Sequence, residues 1–183
     1  MQINHALRNQ ASRRYRWMTF IVASGLLLAA ASTAEAAWTA AIKPDPLTHQ
    51  PRCLLSSDPQ ITSDGYDSTP VTLVFNGGSL LVVTESELDA SFADLQLTVD
   101  KESSIHSDQR DHKNMILVFD QDIPSLIRKL RAGKQATVYL RFWPTWPATQ
   151  PFAVAFSLAG FSKAHDSLIQ GCLPPSGTTL PSR

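Results

Sequence analysis

Four side chains able to hold a metal ion fall within seven residues: His106, Asp108, Asp111 and His112. A closed zinc or copper site needs three or four such donors. Their spacing matches no established metal motif, and residues 101–113 carry charges of both signs with Ile105 as the one apolar side chain. That composition reads as a solvated loop between strands, so no metal ligand is assigned. An enzyme built here would need His106 and His112 to converge with an acidic partner around a cleft. His165, beside Asp166, reads as a surface or helix-end residue.

Other chemistries have less support. The chain has no Gly-x-Ser-x-Gly elbow and no Ser-x-x-Lys, and Ser162 stands in Gly160-Phe161-Ser162-Lys163, which reads as a helix start. Gly133-Lys134 lacks the glycine-rich loop that would cradle a phosphate. No catalytic residue or cofactor is assigned, and an enzyme is not expected.

Arg8, Arg13, Arg14 and Arg16 precede an apolar run from Trp17 to Ala31, which ends in small residues. Basic, apolar and small-residue zones in that order describe a signal peptide over 1–36, with cleavage after Ala34 or Ala36. The run is short for a stable membrane span, and polar, Pro-rich sequence follows it. Export to the periplasm of a Gram-negative bacterium, or to its surface, follows. Removing the leader takes away four arginines and Glu35, leaving 12 Lys/Arg against 15 Asp/Glu. A net of −3 argues against a nucleic-acid partner, which would need a concentrated basic surface.

Only Cys53 and Cys172 remain. In an oxidising compartment the pair is expected to form a disulfide joining the two ends of one domain. Two separate buried thiols, or a redox or metal-binding pair, are the other readings. Closing a loop of that length is worth about 5 kcal/mol in the chain-entropy model. Pro44, Pro46 and Pro51 make 37–52 an expected extended lead-in, 53–172 a single domain, and 173–183 a flexible tail.

Phe142-Trp143-Pro144-Thr145-Trp146-Pro147 is the segment best suited to meet a partner. Its prolines oppose both a helix and a central strand, which puts the tryptophans on a stiff connection. Trp143 and Trp146, with Arg141 beside them, are the candidate partner-binding residues, since Trp buries much area for little entropy lost. Packing over an open end of the sheet is the competing role. Charge is uneven around them: ten acidic and three basic residues from Glu85 to Asp122, then five basic and no acidic from Ile123 to Phe142. Ordinary solvated faces account for this better than a partner does.

The elements that must position these residues are mostly strands. Residues 71–75 and 79–84 flank Asn76-Gly77-Gly78, a strong hairpin turn. Residues 95–99, 115–119, 137–142 and 152–158 supply four more. Asp122 can cap a helix with Pro124 in its first turn, Ile123, Leu126, Ile127 and Leu130 on one face, and Gly133 as its stop. A second helix begins near Ser162, with Phe161, Ala164, Leu168, Ile169 and Cys172 at helical spacing and Gly171 at the exit. About six strands with two short helices fit a mainly β fold: a twisted β-sandwich or small open barrel.

The stretch Phe156-Ser157-Leu158-Ala159-Gly160-Phe161-Ser162-Lys163-Ala164 resembles the Ser-Leu-x-Gly-Phe-x-x-Ala signature of the invasion-associated locus B family of exported bacterial proteins. The resemblance covers roughly residues 53–172. The family commonly carries additional cysteines within the domain, which this chain lacks. A helix ending in Cys172 also looks like small periplasmic proteins associated with type VI secretion. The family resemblance implies a non-enzymatic envelope protein, a binding or accessory module connected with host interaction. The alternative is a periplasmic secretion-system accessory or immunity-like protein that binds a protein partner. Gly160 and Phe161 carry over only as a strand-to-helix turn and its core anchor.

Overall fold

The computed structural model describes residues 37–145 and 150–173; the expected leader, Trp146 and the tail from residue 174 lie outside these. The described residues form strands β1 (Trp38–Pro44), β2 (Pro51–Ser57), β3 (Gln60–Ser63), β4 (Ser68–Phe75), β5 (Leu80–Thr84), β6 (Gln96–Val99), β7 (Ile105–His106), β8 (Arg110–Asp111) and β9 (Ile116–Phe119). Helix α1 (Ile123–Ala132), β10 (Gln135–Leu140), β11 (Phe152–Ser157) and α2 (Phe161–Ile169) follow. The larger sheet runs β1-β2-β4-β5-β9-β8 with β3 also on β4, and the smaller runs β11-β10-β6-β7. The two sheets do not close into a barrel, so the sandwich is the form adopted. Both are antiparallel throughout.

The six runs read as strands each match a strand, with Arg141 and Phe142 falling beyond the end of β10, and five further strands join them. The most consequential is β1. Within the stretch 37–52, β1 pairs with β2 over seven residues, from Trp38 opposite Ser57 to Pro44 opposite Pro51, with a turn at 46–48 between them. Trp38 makes this strand integral. Its ring is buried, meets Phe161 edge-on at 4.9 Å, and donates from Nε1 to the Ser157 carbonyl at 2.7 Å. The prolines terminate the paired segments, where a missing N–H breaks no inner rung.

β2 and β3 share one edge of β4, interrupted at Asp58-Pro59. Where the backbone ladder lapses, Ser57 Oγ accepts the Leu73 N–H at 3.0 Å, which keeps that buried donor satisfied.

Burial explains why β9 has no alternation. Its four residues are all buried. Leu117 and Phe119 face the main core with Leu73, Phe75, Leu80 and Val82, while Ile116 and Val118 join Leu54, Val74 and Leu81 on the other face. Leu47, from the β1–β2 loop, packs onto that second cluster. The small sheet buries one face, and β6, β10 and β11 alternate accordingly.

Helix α1 begins as its residues dictate, with Asp122 Oδ1 accepting the Ser125 N–H at 3.3 Å and Leu126 and Leu130 buried. It ends as expected at Gly133, whose N–H donates to the Lys129 carbonyl. Gly133 is extended (φ −77°, ψ 168°), not a left-handed stop. Glycine is required there by close approach, because a Cβ would collide with Val99 and lie 3.1 Å from Leu158 Cδ1. At α2, Gly160 does adopt the left-handed region (φ 84°) and Phe161 is fully buried behind it. Ile169 departs from the core-facing pattern and is 71% exposed. A disulfide joins Cys53 on β2 to Cys172 just beyond α2, 119 residues apart with Cα atoms 5.6 Å apart.

Candidate partner-binding surface

Trp143 stands three residues beyond the end of β10, on a connection held from both sides. Phe142 is buried and forms an isolated antiparallel bridge with Leu88. The Trp143 N–H donates to the Glu87 carbonyl at 2.7 Å, and the Thr145 hydroxyl donates to Asp89. The Trp143–Pro144 peptide is cis. Adjacent residues thus face opposite ways: Phe142 packs near Phe152 with centroids 5.9 Å apart, and Trp143 is 61% exposed. Trp146 lies outside the described residues.

Arg141 does not present its charge to a partner. It is buried, and its Nε and Nη2 donate to Asp94 Oδ2 at 2.9 and 2.5 Å. Its guanidinium carbon lies 4.4 Å from the centre of the Phe92 ring. A charge taken out of water needs such partners, which makes Arg141 a positioning residue for the loops on either side. Burial alone would raise the Asp89 carboxyl. The Ser91 and Thr145 hydroxyls, the Ser91 N–H and Arg141 outweigh burial and hold it below the ordinary carboxylate range.

Two further exposed aromatics share this framework. Phe92 is exposed on the segment that carries Asp89 and Asp94, and Tyr66 is exposed on the β3–β4 turn. That turn is tied in through Asp64, which accepts the Tyr66 and Asp67 N–H groups at 2.9 and 2.7 Å and the Ser86 hydroxyl at 2.7 Å. Glu85 and Glu87, on the same segment, are exposed. The resulting surface carries aromatic side chains on pinned connections with acidic groups around them. Sequence reading missed Phe92; an aromatic between Asp89 and Asp94, outside any strand or helix pattern, was the available signal.

The structure separates the histidines of the polar loop. His106 lies on β7 opposite Gln96 in the small sheet, whereas Asp111 lies on β8 in the large one. His112 Nε2 is 3.2 Å from the Leu47 carbonyl, and its ring stacks on His49 at 4.8 Å. Among the described residues no three His, Cys, Asp or Glu side chains are placed to hold a metal ion. Among the described residues, too, no helix is long and apolar enough to cross a membrane.

No protein-family model matches the chain, and neither does any curated protein. Among solved structures, the fold is similar to the crystal structure of invasion associated protein B from Bartonella henselae. The TM-score is 0.51 at 19% sequence identity, over 74% of this chain and 93% of that one. At that identity the likeness is one of fold, and the fold is the one that the resemblance through Gly160-Phe161 implied.

Proposed function

We propose that this chain is an exported, non-enzymatic envelope protein that acts as a binding or accessory module in host interaction, engaging a protein partner through the Trp143 surface. One observation carries the binding role: a largely exposed tryptophan on a connection fixed by hydrogen bonds to Glu87 and Asp89. A rigid exposed ring contributes contact area with little ordering cost, which is the property of an interface anchor. The disulfide supports an oxidising compartment, as export by a leader at 1–36 requires. The likeness to the Bartonella henselae protein, whose name states an association with invasion, supports the envelope and host-facing context.

The test is affinity capture of partners from the native envelope and from host-cell surface extract, by the exported protein and by Trp143→Ala. Loss of a specific partner in the folded variant supports the reading. Equal recovery by both forms moves the interface away from Trp143 and overturns it.

A further inference from the structure

A groove of about 510 Å³ opens beside the disulfide, bordered by α1, α2 and the β4–β5 turn. Phe75, Ile123, Ile127, Leu168 and Ile169 supply its apolar wall. Arg52, Asn76 and His165 supply polar side chains, and no acidic residue is among the described residues that line it. Small-ligand clefts have about this volume, roughly 300–1,000 Å³, and this balance of apolar wall and few polar groups.

Two side chains define the chemistry of the polar part. His165 is nine-tenths buried, yet only one of its ring nitrogens is used. Arg131 Nη1 lies 3.0 Å from Nδ1. A guanidinium can only donate, so Nδ1 is the acceptor and the ring proton sits on Nε2. Nε2 has no hydrogen bond to any described residue, which leaves a positioned N–H donor in the groove wall. Burial first, and Arg131 second, lower the His165 pKa and keep the ring in this neutral form, against the opposing pull of Asp166. Arg52 brings the positive charge. Its Nη1 makes one long contact, 3.4 Å, to Asp45, and its side chain is 48% exposed.

The apolar part continues to the surface. Ile169 is 71% exposed at the lip, and Ile123 and Ile127 are half-buried. An occupant must therefore be apolar along the helices and an acceptor, preferably anionic, where His165 and Arg52 stand. We infer that the groove binds a single-chain amphiphile with an oxyanion head, of the long-chain carboxylic acid class. The chain lies against Ile123, Ile127 and Ile169, and the carboxylate accepts from His165 Nε2–H and Arg52. The site shares no residue with the Trp143 surface and stands whether or not that reading holds.

The test is fluorescence titration of the exported, oxidised protein with a polyene fatty acid below its micelle concentration, followed by displacement with oleate and with oleyl alcohol. One saturable site is expected, with oleate displacing at least about tenfold better than the uncharged alcohol, as a charge-assisted contact requires. Ile169→Glu, at an exposed position, is expected to weaken oleate about tenfold or more without changing Tm. Arg52→Gln is expected to weaken oleate and leave the alcohol unchanged, with folding verified by Tm. Non-saturating uptake, equal affinity for acid and alcohol, or an unchanged oleate affinity in Ile169→Glu would overturn the assignment.

Discussion

Asn76 Nδ2 donates to Asp45 Oδ2 at 3.2 Å, joining two loops that lie 31 residues apart in the chain. Asp45 is fully buried, and its Oδ1 accepts the N–H groups of Leu47 and Thr48 at 2.8 and 3.2 Å. Asn76 Oδ1 in turn accepts from Gly78 and Ser79. One carboxylate therefore holds the β1–β2 loop, with Leu47 on the outer cluster, against the β4–β5 turn.

Replacing Asp45 by Ala leaves those donors unpaired in a buried place, and a loss on the order of 3 kcal/mol is expected in urea unfolding. The same carboxylate gives an acid dependence. Burial would raise its pKa, but the Leu47 and Thr48 N–H groups, Asn76 and Arg52 together bring it below the ordinary 3.8. A folded-state pKa below the unfolded value contributes stability that is fully present above the unfolded value. That contribution is lost as pH falls through the folded one. Unfolding free energy should thus drop between pH 6 and pH 3 by more in the natural protein than in Asp45→Asn; equal drops would remove Asp45 from the account.

Reducing the Cys53–Cys172 bond, or replacing both cysteines by Ser, frees the end of α2 from β2. A loss of about 2–5 kcal/mol is expected, measured as the urea midpoint with and without reductant. The double Ser variant should be insensitive to reductant.

Gly133→Ala adds one methyl group where Val99 and Leu158 Cδ1 already stand, the Lys129 carbonyl lying 3.0 Å from the new Cβ. Overpacking of this kind costs about 1–3 kcal/mol. The expected result is a lowered Tm, although Ala is the better helix former and sits next to a helix end. A neutral or raised Tm would show that Val99 and Leu158 move aside freely.

Arg141 and Asp94 are expected to behave as a coupled pair. Arg141→Met strands a carboxylate that is mostly shielded from water, and a cost of about 3 kcal/mol is expected. Asp94→Asn in the same background should recover part of that loss, since the uncompensated charge is gone. A double-mutant cycle on thermal unfolding measures the coupling.

Local pattern was enough for most elements. Apolar or alternating runs marked six strands, Asp122 and Pro124 marked the start of α1, and Asn76-Gly77-Gly78 marked a turn that the structure contains. These features are legible because they depend on neighbours a few residues away. The strand at 38–44 was not, because Pro44, Pro46 and Pro51 make the stretch look like a linker. Its membership rests on Trp38 reaching Ser157 and Phe161, more than a hundred residues on.

The candidate surface divides the same way. That Trp143 stands on a stiff connection follows from two prolines and is read from the chain itself. Whether its ring points outward is decided by the bridge from Phe142 to Leu88 and the bonds to Glu87 and Asp89. Arg141 shows the limit most plainly, since a cation beside two tryptophans looks available until Asp94 and Phe92 are brought to it.

By itself, then, the chain determined a mainly β character, two short helices and a cysteine pair at the domain ends. Tertiary structure alone decided the first strand, the two-faced burial of β9 and the separation of His106 from His112. It also decided the burial of Arg141 and the groove between the helices. The physical reason is separation along the chain. Periodicity and turn chemistry act over a few residues, whereas burial and the pairing of a charge depend on contacts that only the folded chain creates.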